Sequence, residues 1–437
     1  MTELATPLSA SPGTGRKLVA MAAMGLIYFF SYFQRAAIPG PIFDQLQSDL
    51  GVSASAVTAL GAVCLYVYAA MQLFVGMAAD RFGGRRTLLA GGLVLCLGAI
   101  LFPLARSLPL LYACRALTGL GASFMFLSII KEIDSLWEPR HFVLFWGLIS
   151  CMGSGGALAA TTPLAWLTGK LGWRSATLAV GILSAVSLLV AWLTLRRMSD
   201  PPPSARRPLL APLVNVLRNR ASRPLLVVAL VIFAVYFVIQ ITLGAKFLVD
   251  FCGLASGQAS QVLMAMIVVG AIVGLLAEPI QRLSRQRRKP PILAGLTLAL
   301  ATSIALLWGA RAGAPPAFFM ISFVLLAVAS GLTTPAMAAT MKELNDPEVV
   351  SQSIAVTNCL SYVGVAVLSN VAGLVLDGFA GQATVTEGRT IYPGAAYAVI
   401  FGVLAAISLA ALVAALLVPE TRGRSRYRAL WRLGVLS

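Results

Sequence analysis

Apolar stretches of roughly 20 residues alternate with short polar runs along the whole chain, at 18–41, 54–76, 87–105, 108–130, 142–167, 174–195, 224–249, 256–279, 290–310, 315–340, 351–376 and 394–418. Each is long enough, at about 1.5 Å per helical residue, to cross a hydrocarbon layer about 30 Å thick. The pattern predicts an all-α membrane protein of twelve transmembrane helices. The longest polar interruption, Arg196 to Arg223, holds Pro201, Pro202, Pro203 and seven arginines against one acid, Asp200. It divides the chain into an N-terminal tail (1–17), a six-helix bundle (18–195), a linker (196–223), a second six-helix bundle (224–418) and a C-terminal tail (419–437). Landmarks recur in the same order in both halves: Tyr28-Phe29 with Tyr236-Phe237, Gly76/Asp80 with Gly274/Glu278, and Lys131-Glu132 with Lys342-Glu343. Such an internal repeat is expected of a transporter built from two related bundles.

Composition agrees and narrows the class. Of 437 residues 59% are hydrophobic and 11% charged, with mean hydropathy +0.87, more apolar than a water-soluble core accommodates. The net charge of +17 raises nucleic acid as a partner, but its placement excludes that. With the N-terminus inside, 25 of the 33 Lys and Arg fall in cytoplasmic segments, leaving six outside and two, Arg35 and Arg115, within helices. This bias predicts that both tails are cytoplasmic, in an inner or plasma membrane. The first stretch is too long for a cleaved signal core and reads as a retained span. The six cysteines show no metal-ligand spacing and read as packing residues. One histidine, His141, and the lack of a His-Glu-x-x-His, Gly-x-Ser-x-Gly or Gly-x-x-x-x-Gly-Lys run leave no catalytic residue, metal, cofactor or internal ATP coupling to assign.

Between the second and third stretches the chain reads Gly76-Met-Ala-Ala-Asp80-Arg81-Phe82-Gly83-Gly84-Arg85-Arg86. An acid at a helix end accepts from orphan N–H groups of a facing helix, and the arginines pair with acids across the half boundary. Made and broken, such contacts form a latch on one access state. The alternative is that they set topology and solvate a short loop. In the fourth stretch stands Arg115-Ala-Leu-Thr-Gly119-Leu-Gly121. With these two motifs the chain resembles the major facilitator superfamily over essentially its whole length. The resemblance implies secondary transport by alternating access, with Gly76, Asp80, Arg81, Gly83, Arg85, Arg86 and, in the weaker second copy, Glu278 as gating residues.

Ionisable groups inside a membrane mark function by default. The clear ones here are cationic, Arg35 and Arg115, each about seven residues from the outer helix end, or roughly 10 Å. Tyr28, Ser31, Tyr32 and Arg35 share one helical face, and Pro39-Gly40-Pro41 should break the helix just beyond. This face lines an anion site, or else Arg35 snorkels to the interface among belt tyrosines. The candidate substrate residues are Arg35, Tyr32, Tyr28, Arg115, Gln240, Asn358 and Tyr362, with Lys246 a third cation nearer the outer end. Cations without buried acids resemble the organic-anion branches of the superfamily. The acids of its anion:cation symporters are replaced here by Gln34 and Ala122, which leaves symport with a proton or sodium ion, antiport against a counter-anion and facilitated diffusion open. The expected partners are a small anionic molecule and the lipid bilayer, with the monomer as the working unit. Competing readings are a carrier of siderophores or drugs and a non-transporting membrane sensor.

Overall fold

The computed structural model describes residues 14–137, 142–196, 216–283, 285–345, 350–386 and 389–424. The helices, in chain order, are α1 (Thr14–Ala36), α2 (Phe43–Leu50), α3 (Ala54–Phe82), α4 (Gly84–Leu104), α5 (Leu108–Leu136), α6 (Phe142–Ala159), α7 (Thr162–Leu195), α8 (Arg223–Phe237), α9 (Gly244–Asp250), α10 (Ser256–Leu283), α11 (Lys289–Ala312), α12 (Pro316–Leu344), α13 (Val350–Gly378) and α14 (Gly394–Leu416). A short hairpin, β1 (Thr384–Thr386) with β2 (Arg389–Ile391), joins α13 to α14.

Among the described residues eleven helical segments are long and apolar enough to span a membrane, with a shorter apolar one at Gly147–Ala159. The difference from twelve stretches lies at the fifth. Thr161 leaves helical geometry (ψ −109°) and Pro163 opens α7, so the stretch 142–167 is split between α6 and the start of α7. Gly172, at φ 74°, then turns the chain into the sixth crossing inside what is otherwise one helix.

The first stretch also ends early. Helix α1 stops at Ala36, the Ile38–Pro39 peptide is cis, and Gly40–Ile42 forms a 3₁₀ turn before α2. The break expected from Pro39-Gly40-Pro41 is where the composition puts it. The seventh stretch contains a feature the pattern does not reveal: Val238–Leu243, between α8 and α9, winds as a π-helix.

The two halves repeat one packing scheme. In the first, α1 packs on α5, α6 and α7, α5 on α3 and α4, and α4 on α7. The second has α8 on α12, α13 and α14, α12 on α10 and α11, and α11 on α14, the same pairings in the same order. Glycines fix equivalent crossings. A Cβ on Gly156 would stand 2.0 Å from the Phe29 carbonyl oxygen, and one on Gly364 2.0 Å from that of Leu230. Small residues let these backbones approach, which supplies helix association where lipid offers no hydrophobic drive. Between halves, α3 lies along α13, and α10 meets α6 and α7. Of these helices, α3 and α13 each contribute a tyrosine to the candidate site. Below, "near end" denotes the end of the bundle holding Thr14, and "far end" the opposite one.

Candidate functional site

Arg35 stands in the last turn of α1, 4% exposed. Its guanidinium carbon lies 4.0 Å from the ring centroid of Tyr32, 4.4 Å from that of Tyr68 in α3 and 5.8 Å from that of Tyr362 in α13. Arg35 Nη1 donates to the Tyr362 hydroxyl at 3.2 Å, across the boundary between halves. No carboxylate among the described residues pairs with it, and Arg35 Nε is buried without a hydrogen-bond partner. Tyrosine faces offer a buried cation their negative quadrupole, which softens its desolvation without neutralising its charge.

The cage is extended by aromatic contacts. Tyr28 meets Tyr32 edge-on at 5.2 Å and stacks on Phe126 of α5 at 5.8 Å. Tyr362 meets Tyr68 at 4.7 Å and Phe233 of α8 at 5.3 Å. The face of Tyr28, Ser31, Tyr32 and Arg35 turns inward: three are buried and Tyr32 is partly so. Ser31 Oγ, like Gln34 Nε2, is buried without a partner. Gln240 is buried within the π-helical turn, and Asn358 is half-buried one turn before Tyr362.

Among the described residues two other cations are buried, Arg115 and Lys246, and their surroundings differ. Arg115, 1% exposed, donates through Nε to the Leu60 carbonyl (3.1 Å) and through Nη1 to the Gln34 carbonyl (2.9 Å). It thereby ties α5 to α3 and to the C-terminal end of α1. Lys246 Nζ, fully buried, bridges Asp44 Oδ1 of α2 at 2.5 Å and Asp250 Oδ2 at 3.0 Å, and donates to the Thr390 carbonyl at 2.8 Å. Two features are absent from the sequence-based set of candidates: Tyr68, as close to Arg35 as the residues selected, and the acids that hold Lys246.

Further polar links between the halves run from the cage to the far end. Tyr66 accepts from Asn370 (3.3 Å), Asp377 accepts from the Ser55 amide (3.3 Å), and Gln47 donates to Tyr392 (2.9 Å). The Tyr392 phenol, in the loop before α14, is raised above its ordinary range, chiefly by burial, with the Gln47 bond opposing. At the far end Lys246 joins α2, α9 and the hairpin.

At the near end, Gly83 takes φ 85°, a conformation open to glycine and strained for other residues. Arg81 stacks over Phe82 at 5.3 Å. Arg85 Nη1 donates to the Leu195 carbonyl of its own half, and Arg85 makes further contacts besides. Arg86 forms contacts of its own. Gly76, Asp80 and Glu278 have helical backbones, but their side-chain surroundings lie outside the described residues. In the second half Arg288 Nη2 pairs with Glu343 Oε1 at 2.8 Å.

Comparison with known proteins places this arrangement. Residues 24–369 match the family model of the Major Facilitator Superfamily. Over 170 residues the chain is 26% identical to a protein of Cupriavidus necator named "Probable sulfoacetate transporter", covering 38% of each. It is 27% identical over 281 residues to monocarboxylate transporter 11 of Mus musculus, covering 62% of this chain and 61% of the relative. The chain thus spans less than two thirds of the length of the curated relatives it matches. Among solved structures, a bacterial homologue of the human lysosomal transporter Spinster superposes with TM-score 0.73 at 17% identity, covering 93% of this chain and 97% of that one. The nucleoside transporter NupG does so with TM-score 0.73 at 13% identity, covering 92% and 99%.

Proposed function

Because this chain belongs to the Major Facilitator Superfamily, we propose that it carries a small organic anion of carboxylate or phosphate type by alternating access, with Arg35 as the charge that receives it. The chain is an integral multi-pass membrane protein and a transporter rather than an enzyme. The observation that carries the substrate reading is Arg35 itself: a buried guanidinium at the boundary between halves, faced by tyrosines, with Nε unpartnered. Keeping an uncompensated charge out of water is costly, so a ligand that supplies the opposite charge gains what the apo protein lacks. The relatives named for sulfoacetate and monocarboxylates support the same class.

Arg35 contacts α3 and α13, one from each half. An anion docked there reports its presence to both bundles, as a substrate must in order to favour their exchange between access states. On the positive-inside bias the near end is cytoplasmic, so the far end, where polar contacts join the halves, faces outward. On this reading Tyr28, Tyr32 and Tyr362 shape the site, with Gln240 and Asn358 on its second-half wall. Arg115 braces it, and the near-end loop of Gly76, Asp80, Arg81, Gly83, Arg85 and Arg86, with Glu278 opposite, latches the other access state. The two bundles are residues 18–195 and 224–418, joined by the 196–223 linker.

A thermal-shift screen of the purified protein against carboxylates, phosphate esters, nucleosides and amino acids tests the proposal. Ligand that binds the folded state raises the melting temperature by mass action. An anionic hit that Arg35→Gln abolishes is expected. A neutral hit, or an anionic hit that persists in Arg35→Gln, contradicts it.

A further inference from the structure

The near end holds a cavity away from the Arg35 cage. It measures about 390 Å³ and is lined by Arg287, Lys289, Pro290, Leu293, Glu420 and Arg422, of which Arg287, Pro290 and Arg422 are exposed. Two turns build it, one entering α11 and one following α14, and these two helices pack on each other. The non-glycine residues with positive φ among the described residues, Arg285 (54°), Gln286 (59°) and Arg422 (51°), all lie in these turns. Such backbones persist only where their surroundings hold them. Here the Gln286 amide donates to the Gln281 carbonyl at 2.7 Å and the Arg422 amide to Glu420 Oε1 at 3.1 Å.

The cations of the lining outnumber its acid, and that acid is already engaged. Glu420 accepts from the Arg288 and Lys289 amides at 2.8 and 3.1 Å, and Pro290 and Pro291, next in α11, have no N–H to offer. An anion entering the cavity is therefore met by side chains. Glu343, a neighbouring carboxylate, pairs with Arg288 and accepts from Thr421. Among the described residues neither Lys289 nor Arg422 forms an ion pair. Lys289 Nζ donates instead to the Leu416 carbonyl at 2.6 Å, which places it at the end of α14. The sequence from 421 onward has arginines at 422, 424, 426, 428 and 432 and no acidic side chain.

We propose that this cavity binds the phosphate headgroup of an anionic phospholipid in the leaflet at the near end. Two guanidinium forks and an ammonium suit the charge and shape of a phosphate. Pro290 and Leu293 give the lining an apolar part, and Leu416 and Leu417, exposed at the end of α14, continue it with apolar surface. A free ion has no use for that surface, whereas the glycerol and acyl region of a lipid does. Basic pockets between spanning helices at the membrane surface recognise such headgroups. Once bound, the headgroup bridges the start of α11 and the turn after α14, two segments that Glu420 already joins.

Thermal unfolding of the full chain, delipidated in detergent, tests this with phosphatidylglycerol, phosphatidylcholine and inorganic phosphate as probes. Phosphatidylglycerol is expected to raise the melting temperature, and the other two at the same concentration to leave it unchanged. Arg287→Gln/Arg422→Gln should lose more than about half of the shift, and Arg287→Lys/Arg422→Lys should retain most of it. Arg218→Gln/Arg220→Gln, which removes two exposed arginines before α8 at the same end, should keep it whole. Arg422→Glu changes an exposed side chain that makes no hydrogen bond among the described residues. It should abolish the shift, and it keeps the test decisive if the double variant fails to fold. A shift that survives in Arg422→Glu, or that falls as far in Arg218→Gln/Arg220→Gln, overturns the assignment, because the attraction then belongs to the whole basic face. An equal shift with inorganic phosphate alone makes this a site for a soluble anion and overturns the lipid.

Discussion

Arg35, Arg115 and Lys246 look alike in the sequence, each a lone cation in an apolar stretch, and their partners separate them. Asp44 lies 202 residues from Lys246, and Arg115 reaches carbonyls that no side-chain pattern encodes. The tyrosine stripe on α1 was legible because helical spacing puts residues 28, 31, 32 and 35 on one face. Tyr68 was not, since it reaches Arg35 only through the packing of α3 on its neighbours. These environments predict opposite stability effects. Arg115→Leu orphans the Gln34 carbonyl in the last turn of α1 and removes two charge-assisted hydrogen bonds of about 1.5–3 kcal/mol each, so the apo melting temperature should fall. Arg35→Phe removes a charge without a counter-ion and should leave that temperature unchanged or raise it, while destroying anion binding. Lys246→Met leaves two carboxylates facing each other and should cost about 3–5 kcal/mol. Differential scanning fluorimetry of the three variants checks the order; a drop for Arg35→Phe as large as that for Arg115→Leu would contradict it.

At the scale of elements, the apolar pattern located the spans to within a few residues, because the thickness of the hydrocarbon sets helix length, except at the fifth stretch, which is divided between α6 and α7. What it left out are interruptions inside spans. Pro39-Gly40-Pro41 announced the end of α1, and Pro163 marks the α6–α7 break, but the π-turn at Val238–Leu243 has no proline or glycine to betray it. Crossing glycines carry a prediction of their own. Gly156→Ala places a Cβ 2.0 Å from the Phe29 oxygen and should impair folding, whereas Gly402→Ala meets no atom within 4 Å and should be neutral or stabilise by up to about 1 kcal/mol. Monodisperse yield after purification distinguishes them. Glu420 supplies a pH dependence. Burial disfavours its charge, yet the backbone amides of Arg288, Arg422, Lys289 and Thr421 outweigh burial and hold its carboxyl below the ordinary glutamate range. Two of those amides, Arg288 (2.8 Å) and Lys289 (3.1 Å), stand at the start of α11. A depressed folded pKa stabilises fully above the unfolded value and loses that contribution as the pH falls through the folded one. The fall in melting temperature across that acidic window should therefore be smaller in Glu420→Gln than in wild type.

For the whole molecule, the internal repeat was visible as three paired landmarks, and the matched helix pairings of the two halves give it physical form. The conformation was not legible, because access states differ in which surfaces of the same helices touch. Here Asp44–Lys246, Gln47–Tyr392 and Ser55–Asp377 join the halves at the far end. Opening it releases Asp44 with the first half, while Lys246 keeps Asp250 within the second, so no cation is stranded. Tethering positions 47 and 392 with a short bismaleimide, in a Gln47→Cys/Tyr392→Cys variant lacking the native cysteines, should therefore stop transport without preventing ligand binding from the near end. The most direct test of the account is counterflow in proteoliposomes loaded with an unlabelled monocarboxylate identified as a ligand. Wild-type protein should accumulate the labelled anion transiently, and Arg35→Gln should show none despite equal incorporation. Counterflow of that anion undiminished in Arg35→Gln would contradict the central claim.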